Sequence, residues 1–262
     1  MHEILSRLRA SLAALEKAAP HAGNGLFGLG LPAVDAHLGG GLARGGLHEI
    51  LAPATADAGS AAGFAAALAL RATEPGRSIV WVRQGYGEAE AGSLHAPGLA
   101  GLGLDPDTLI LVRVRDAVSA LRAGAEAVRC SALGAVVIEP WGEAKALDFT
   151  ASRRLALAAG RSGVTCLLLR MATAASSASA AATRWQVVAG ASPPLAAGAP
   201  GHPTFDVTLL RQRAGTAGQS WRLEWNHDRR TFRDAAPLSR PVVPVPAGRP
   251  AGADVVALAR TG

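Results

Sequence analysis

Residues 28–60 read GLGLPAVDAHLGGGLARGGLHEILAPATADAGS. Two glycine-rich turns, Gly39-Gly40-Gly41 and Gly45-Gly46, flank Arg44. The run Leu47 to Leu51 that follows has the length and apolarity of a buried strand, and residues 59–72 read as an alanine-rich helix. Strand, turn and helix repeat downstream. Ser78–Val82 is a strand, followed by a glycine-bearing loop at 85–103 and the strand Thr108–Val114. A helix at 116–130 directs Val118, Leu121, Ala125 and Val128 inward. The strand Ala135–Ile138, a helix at 143–160 carrying Arg153 and Arg154, and the strand Val164–Leu169 complete the series. Strands alternating with helices predict an α/β fold, with a mostly parallel sheet covered by helices on both faces.

The pattern changes after residue 171. Residues 172–183 are small and of low complexity, which predicts a flexible loop. Three strand-like segments follow with no helix between them: Arg184–Ala189, Phe205–Arg213 and Ser220–Trp225. They predict antiparallel C-terminal strands that extend the sheet. Ile4, Leu8, Leu12 and Leu15 fall at helical spacing, which predicts an amphipathic N-terminal helix that stops at Pro20 and docks its apolar stripe on the body, the alternative being a handle for another chain. The expected organisation is an N-terminal helix at 1–20, a core domain at 21–232 and a flexible tail at 233–262 carrying Pro237, Pro241, Pro244, Pro246 and Pro250.

The chain has 262 residues, a net charge of +6 and only two lysines, Lys17 and Lys145. An arginine-rich, basic protein suits a polyanion partner, either nucleic acid or an acidic protein surface, although a GC-rich genome gives the same composition. Cys130 and Cys166 are isolated among apolar neighbours, as expected of buried thiols in a reducing compartment. No signal-peptide core and no membrane-length apolar run is present, so a cytoplasmic protein that makes no membrane contact is expected. The seven histidines show no i, i+4 pairing and no zinc spacing, and no metal site is predicted.

The stretch LPAVDAHLGGGLARGGLHEI resembles the segment that precedes the phosphate-loop strand in the RecA family. AGSLHAPGLAGLGLDPDTLILVRV at 91–114, AVRCSALGAVVIEPWG at 127–142, ATRWQVV at 182–188 and RLEWNHD at 222–228 narrow the likeness. Taken in order, these segments resemble the ImuA family, RecA-like accessory proteins of bacterial translesion mutagenesis. The resemblance implies a RecA-like core and a non-catalytic role in damage-induced (SOS) translesion DNA synthesis. It implies action with an ImuB-type partner, which is an inactive Y-family polymerase homologue, and with an error-prone DnaE-type polymerase. RecA itself and single-stranded DNA are further partners it suggests, with a nucleoid-associated location in the bacterial cytoplasm. Two other readings stay open: a DNA-dependent ATPase with an unconventional phosphate loop, and a cell-division inhibitor like SulA.

Active relatives carry Gly-Pro-x-x-x-Gly-Lys-Thr after the first strand, with the lysine on the terminal phosphates and the hydroxyl on magnesium. Here Ala52 precedes Pro53, and Asp57-Ala58-Gly59 stands near the Gly-Lys-Thr position. Asp57 repels a triphosphate, with no lysine to offset it. Pro53, Gly59 and Ser60 form a pocket remnant, in which backbone N–H groups at a helix N-terminus are a generic anion site. Glu139 ends the strand where a magnesium-holding carboxylate is expected. Arg83 and Gln84 stand where a base for water belongs, and neither accepts a proton usefully. A pseudo-ATPase follows, with ATP and Mg2+ entering only if the degenerate pocket retains affinity.

In RecA-like folds the loops after two successive core strands reach single-stranded DNA, which places 140–154 and 171–184 in that role. Trp141, Arg153, Arg154, Arg184 and Trp185 are therefore candidates for DNA or partner binding by stacking and phosphate contact; the alternative is that the tryptophans are core residues and the arginines a solvated face. Arg211 and Arg213 share one face of a strand. With Arg229 and Arg230 in a basic turn, they complete the candidate set.

Overall fold

The computed structural model describes residues 2–16, 25–173, 177–213 and 215–235. The side chain of Leu15, together with Pro20 and the proline-bearing tail, falls outside these residues. In chain order the elements are α1 (His2–Glu16), β1 (Leu26–Phe27), α2 (Pro32–His37), β2 (Leu42–Ala43), β3 (Leu47–Ala52), α3 (Ala58–Ala72), β4 (Ser78–Gln84), α4 (Tyr86–Ala91) and α5 (Ala96–Gly101). They continue with β5 (Leu109–Val114), α6 (Ala117–Val128), β6 (Leu133–Glu139), α7 (Phe149–Ser162), β7 (Thr165–Met171), β8 (Thr183–Ala189), β9 (Thr204–Gln212), β10 (Ser220–Asn226) and β11 (Thr231–Asp234).

A nine-stranded sheet runs in the order β11-β10-β9-β8-β3-β7-β6-β4-β5, and β1 pairs with β2 as a separate ribbon. Strands β5, β4, β6, β7, β3 and β8 are all parallel. β9, β10 and β11 add antiparallel. The segment at 184–189, expected to be antiparallel to the core, is therefore the last parallel strand, and the direction reverses only between β8 and β9.

The continuous apolar runs resolve into two faces. Ile50, Ile79, Trp81, Val137, Leu167 and Leu169 pack toward α3. Leu47, Val80, Val82, Val136, Ile138, Cys166 and Leu168 pack toward α6, α7 and α1. Successive side chains of a strand point to opposite faces, so a sheet covered on both sides needs both registers apolar. The two helical layers approach the sheet through small residues. α3 buries Ala61, Ala65 and Ala69. α6 buries Ala120, Ala123, Gly124 and Ala127. A Cβ on Gly124 would lie 2.3 Å from Ile138 Cδ1, so this glycine sets the distance between helix and sheet.

That packing rotates α6 away from the expected face. Val128 is buried as predicted, but Val118 is 43% exposed and Leu121 and Ala125 are only half-buried. α7 starts at Phe149 and not at 143, because Asp148 caps it by accepting from Ala151 N at 2.7 Å. Gly163, at φ +75°, ends the same helix in the left-handed conformation that favours glycine. α1 docks on the body through Leu8 and Leu12, which are buried in the layer containing α6, whereas Ile4 is 37% exposed. Residues 177–182 are packed rather than loose. Ser179, Ala180 and Ala181 are buried, and Ala180 N donates to Ser152 Oγ on α7 at 3.0 Å.

Candidate functional site

The C-terminal ends of the parallel strands share one edge of the sheet, where a RecA-like fold would hold a nucleotide. Ala52 leads through Pro53 and a 3-10 turn, Thr55–Asp57, into α3. Ala58 is the first residue of that helix and is buried. Asp57 places its carboxylate at the helix N-terminus, where Oδ1 accepts from Ala189 N at 3.4 Å. Pro53 and Gly59 are exposed and Ser60 is half-buried. Asp57 makes no side-chain cap to the helix, and its negative charge stands beside this turn with no lysine of the described residues next to it to draw a phosphate in.

The carboxylate end of the pocket is closed by a buried ion pair. Arg83 on β4 and Glu139 on β6 are register partners on neighbouring parallel strands. Arg83 Nε donates to Glu139 Oε1 at 2.9 Å, and Trp81 Nε1 donates to Oε2 at 2.7 Å. Both charged residues are almost fully buried. Burial pushes the Glu139 carboxyl above the ordinary 4.5, and the Arg83 charge with the two hydrogen bonds pulls it back. Both carboxylate oxygens are thus committed to protein donors. A magnesium-bound water would have to compete with a guanidinium for them, so these residues do not fit the metal–triphosphate group of an active relative.

Gln84, also predicted at this edge, accepts from Trp141 N at 3.1 Å through Oε1 and so holds the chain after β6. Beside α3 lies a cavity of 260 Å³ lined by Gly59, Gly63, Arg83, Ser93, His95 and Leu99. This is below the roughly 300–1,000 Å³ of pockets that enclose drug-sized ligands. The segment expected to be a loop at 85–103 supplies its roof as α4 and α5, and Trp225 Nε1 ties that roof to β10 by donating to Leu102 O at 2.9 Å.

The candidate binding residues do not form one surface. Trp185 is fully buried, with its Nε1 donating to Thr183 Oγ1 at 2.9 Å and its ring near Phe64. It is a core residue and cannot stack on a base. Arg184 is also buried. Its Nε donates to Glu49 Oε2 at 2.6 Å across the β3–β8 pair, and Nη2 donates to Ser177 O at 2.7 Å. These two assignments are corrected: parallel pairing with β3 pulls the start of β8 into the sheet interior. Trp141 is half-buried, in edge contact with the 56%-exposed Tyr86 at a centroid distance of 6.5 Å. That pair, of which the sequence reading found only one member, sits at the nucleotide edge.

Arg211 is the penultimate residue of β9, but Arg213 lies just past the end of that strand, so the shared strand face is incomplete. Their guanidiniums donate to Ser179 O and Ala180 O. Because Gln212 pairs with Thr183 at the start of β8, both arginines lie at the opposite end of the sheet from Glu139. Arg229 and Arg230 are exposed in the β10–β11 turn, and the antiparallel register returns that turn to the Glu139 end. The seven residues of β8 alone span about 23 Å, which separates the two arginine pairs. Arg153 and Arg154 are exposed on α7. Arg154 lines a groove with Arg122, Arg129 and Arg161, three arginines the sequence reading did not single out.

No family model matches the chain. It is 33% identical over 231 residues to Protein ImuA of Caulobacter vibrioides, in strains NA1000 / CB15N and CB 15. The match covers 82% of this chain and 90% of each relative. The crystal structure of the RadB recombinase superposes with a TM-score of 0.54 at 15% identity, covering 80% of this chain and 100% of that one. That likeness establishes a RecA/RadB-type fold. With identity of this level along most of both sequences, the chain belongs to the ImuA family.

Proposed function

We propose that this protein is a non-catalytic RecA-like accessory in damage-induced translesion DNA synthesis, working by surface contacts rather than by nucleotide turnover. Its partners in this reading are an ImuB-type polymerase homologue, an error-prone DnaE-type polymerase and the RecA filament, met in the bacterial cytoplasm. The observation that carries the reading is the Arg83–Glu139 pair. It occupies the carboxylate that would position magnesium, and it places a cation where a base for water is required. Alanine at 58 and aspartate at 57 support it from the phosphate side. No helix among the described residues is long and apolar enough to cross a membrane.

Two measurements test the reading together. The full chain should co-purify with the ImuB-type protein at micromolar concentrations. ATP hydrolysis should stay at background with and without single-stranded DNA. Turnover that Glu139→Gln abolishes, in a variant with an unchanged circular dichroism spectrum, would replace the accessory reading with the ATPase one. Direct contact with single strands is favoured by the Tyr86–Trp141 pair at the strand ends. It predicts an anisotropy change that weakens steeply with salt and is lost in Tyr86→Ala.

A further inference from the structure

The strongest unassigned feature is the groove between α6 and α7. Its volume is 660 Å³. Val118, Leu121, Arg122 and Ala125 line it from α6, at helical spacing, and Arg129 from the C-cap of that helix. Ala151, Arg154, Leu155, Ala158 and Arg161 line it from α7, also at helical spacing. The α6 stripe is the one whose sequence reads as core-facing, yet the sheet is covered by the alanine–glycine face instead. Val118 and, from α7, Leu157 are left 43% and 52% exposed.

We infer that this groove receives an acidic amphipathic helix of a partner protein. The occupant is helical because both walls are helices, with their backbone groups already bonded. An extended peptide would find no main-chain partners there, whereas a third helix satisfies its own backbone and sets its ridges between two others. The occupant is acidic because four arginines and no carboxylate line the groove. Arg129 has a 3.5 Å contact with Glu126, while Arg122, Arg154 and Arg161 make no ion pair among the described residues.

An aliphatic floor without an aromatic side chain offers a nucleic acid nothing to stack on. The chain's own residues 236–262 have the wrong sign, with Arg240, Arg249 and Arg260 against Asp254. α1 already lies on the other flank of α6, with Leu8 and Leu12 buried and Arg9 paired to Glu126. The partner class rests on the accessory reading above. A groove that ignores acidic helices would still leave co-purification with the ImuB-type protein intact, so the two can fail separately.

The test uses the full chain and two fluorescent helical peptides of about 14 residues, about 21 Å long and so matched to α7. Both carry the same leucine and phenylalanine face. One is flanked by glutamates, the other by lysines. Anisotropy should show the glutamate peptide binding about tenfold more tightly or better. The exposed-site variant Arg154→Glu/Arg161→Glu should reverse that preference, and Ala125→Trp, which fills the floor, should weaken both peptides. Circular dichroism establishes that each variant folds. Equal binding of the two peptides, an unchanged preference in the charge-reversed variant, or no binding at millimolar peptide overturns the proposal. An oligo-dT strand that competes for the same arginines, or a dimer in sedimentation that Ala125→Trp dissolves, assigns the groove to nucleic acid or to a second copy and overturns it equally.

Discussion

Removing one side of the Arg83–Glu139 pair should destabilise the fold far more than removing both. At 2.9 Å the attraction is about 6 kcal/mol for an effective dielectric of about 20. Desolvating each ion costs several kcal/mol, so the net value of the intact pair is small. Deleting one partner leaves the other buried and unopposed, a loss of about 3–5 kcal/mol. Arg83→Met and Glu139→Gln should each fall in that range. The amide introduced by Glu139→Gln would offer one carbonyl oxygen to two donors, Arg83 Nε and Trp81 Nε1. In the double variant that oxygen serves Trp81 alone and no charge is left, so the loss should shrink to about 1–2 kcal/mol. Urea unfolding with linear extrapolation measures all three, with constant slope m as the check on two-state behaviour. Single losses below about 1 kcal/mol, or a double loss equal to the summed singles, would refute the claim that the pair is buried and coupled. The pH dependence adds a second constraint. In Arg83→Met the unfolded chain releases the Glu139 proton near 4.5 while the folded chain holds it to higher pH. The folded state then binds more protons, so stability falls as pH rises from about 4.5 through the folded value.

His48 gives the opposite limb. Burial lowers its pKa from 6.5 to about 4, with Nε2 donating to Ala43 O and Nδ1 accepting from Thr183 Oγ1. Its contribution is present above 6.5 and lost as pH falls toward 4, a drop of about 3 kcal/mol that His48→Gln should flatten in acid unfolding curves. Gly124→Ala should cost about 1–3 kcal/mol by overpacking against Ile138, despite alanine's better helix propensity; thermal denaturation reads this, and a stabilised variant would refute the close approach. Cys130 and Cys166 are buried, the latter with its thiol pushed up to about 12, so neither should react with a disulfide reagent at pH 8 until denaturant is added.

The parallel core was legible because its strands are near-continuous apolar runs broken by glycine and proline. Leu47–Leu51 and Ser78–Val82 fall inside β3 and β4, each extended by one or two polar or small residues that continue the pairing. What stayed hidden depends on partners distant in sequence. The 85–103 segment, glycine-bearing and without strong periodicity, concealed α4 and α5. β11, four residues with a single buried side chain, Phe232, exists because β10 supplies its register. Arg83 and Glu139 stand 56 positions apart, and Glu49 and Arg184 stand 135 apart. Neither pairing has a local signal in the sequence, because the partners meet only across neighbouring strands. Val118 and Leu121 read as core because period alone cannot tell which of two apolar stripes faces the sheet when the other is alanine and glycine.

The place of β3 in the sheet has a consequence for how the chain is made. It is the earliest strand of the large sheet, yet its two neighbours are β7 and β8, and Glu49 waits 135 residues for Arg184. At about 5–20 residues per second that delay is roughly ten seconds on the ribosome. Closure of so distant a pairing also places the fold among the slower, high-contact-order topologies. Until β7 is made, LHEILA lacks both of its native neighbours, and its two polar residues, His48 and Glu49, lower the tendency of such an apolar strand to pair with another nascent chain. The same glutamate that ends buried against Arg184 first serves as a gatekeeper, holding the central strand soluble until its neighbours exist.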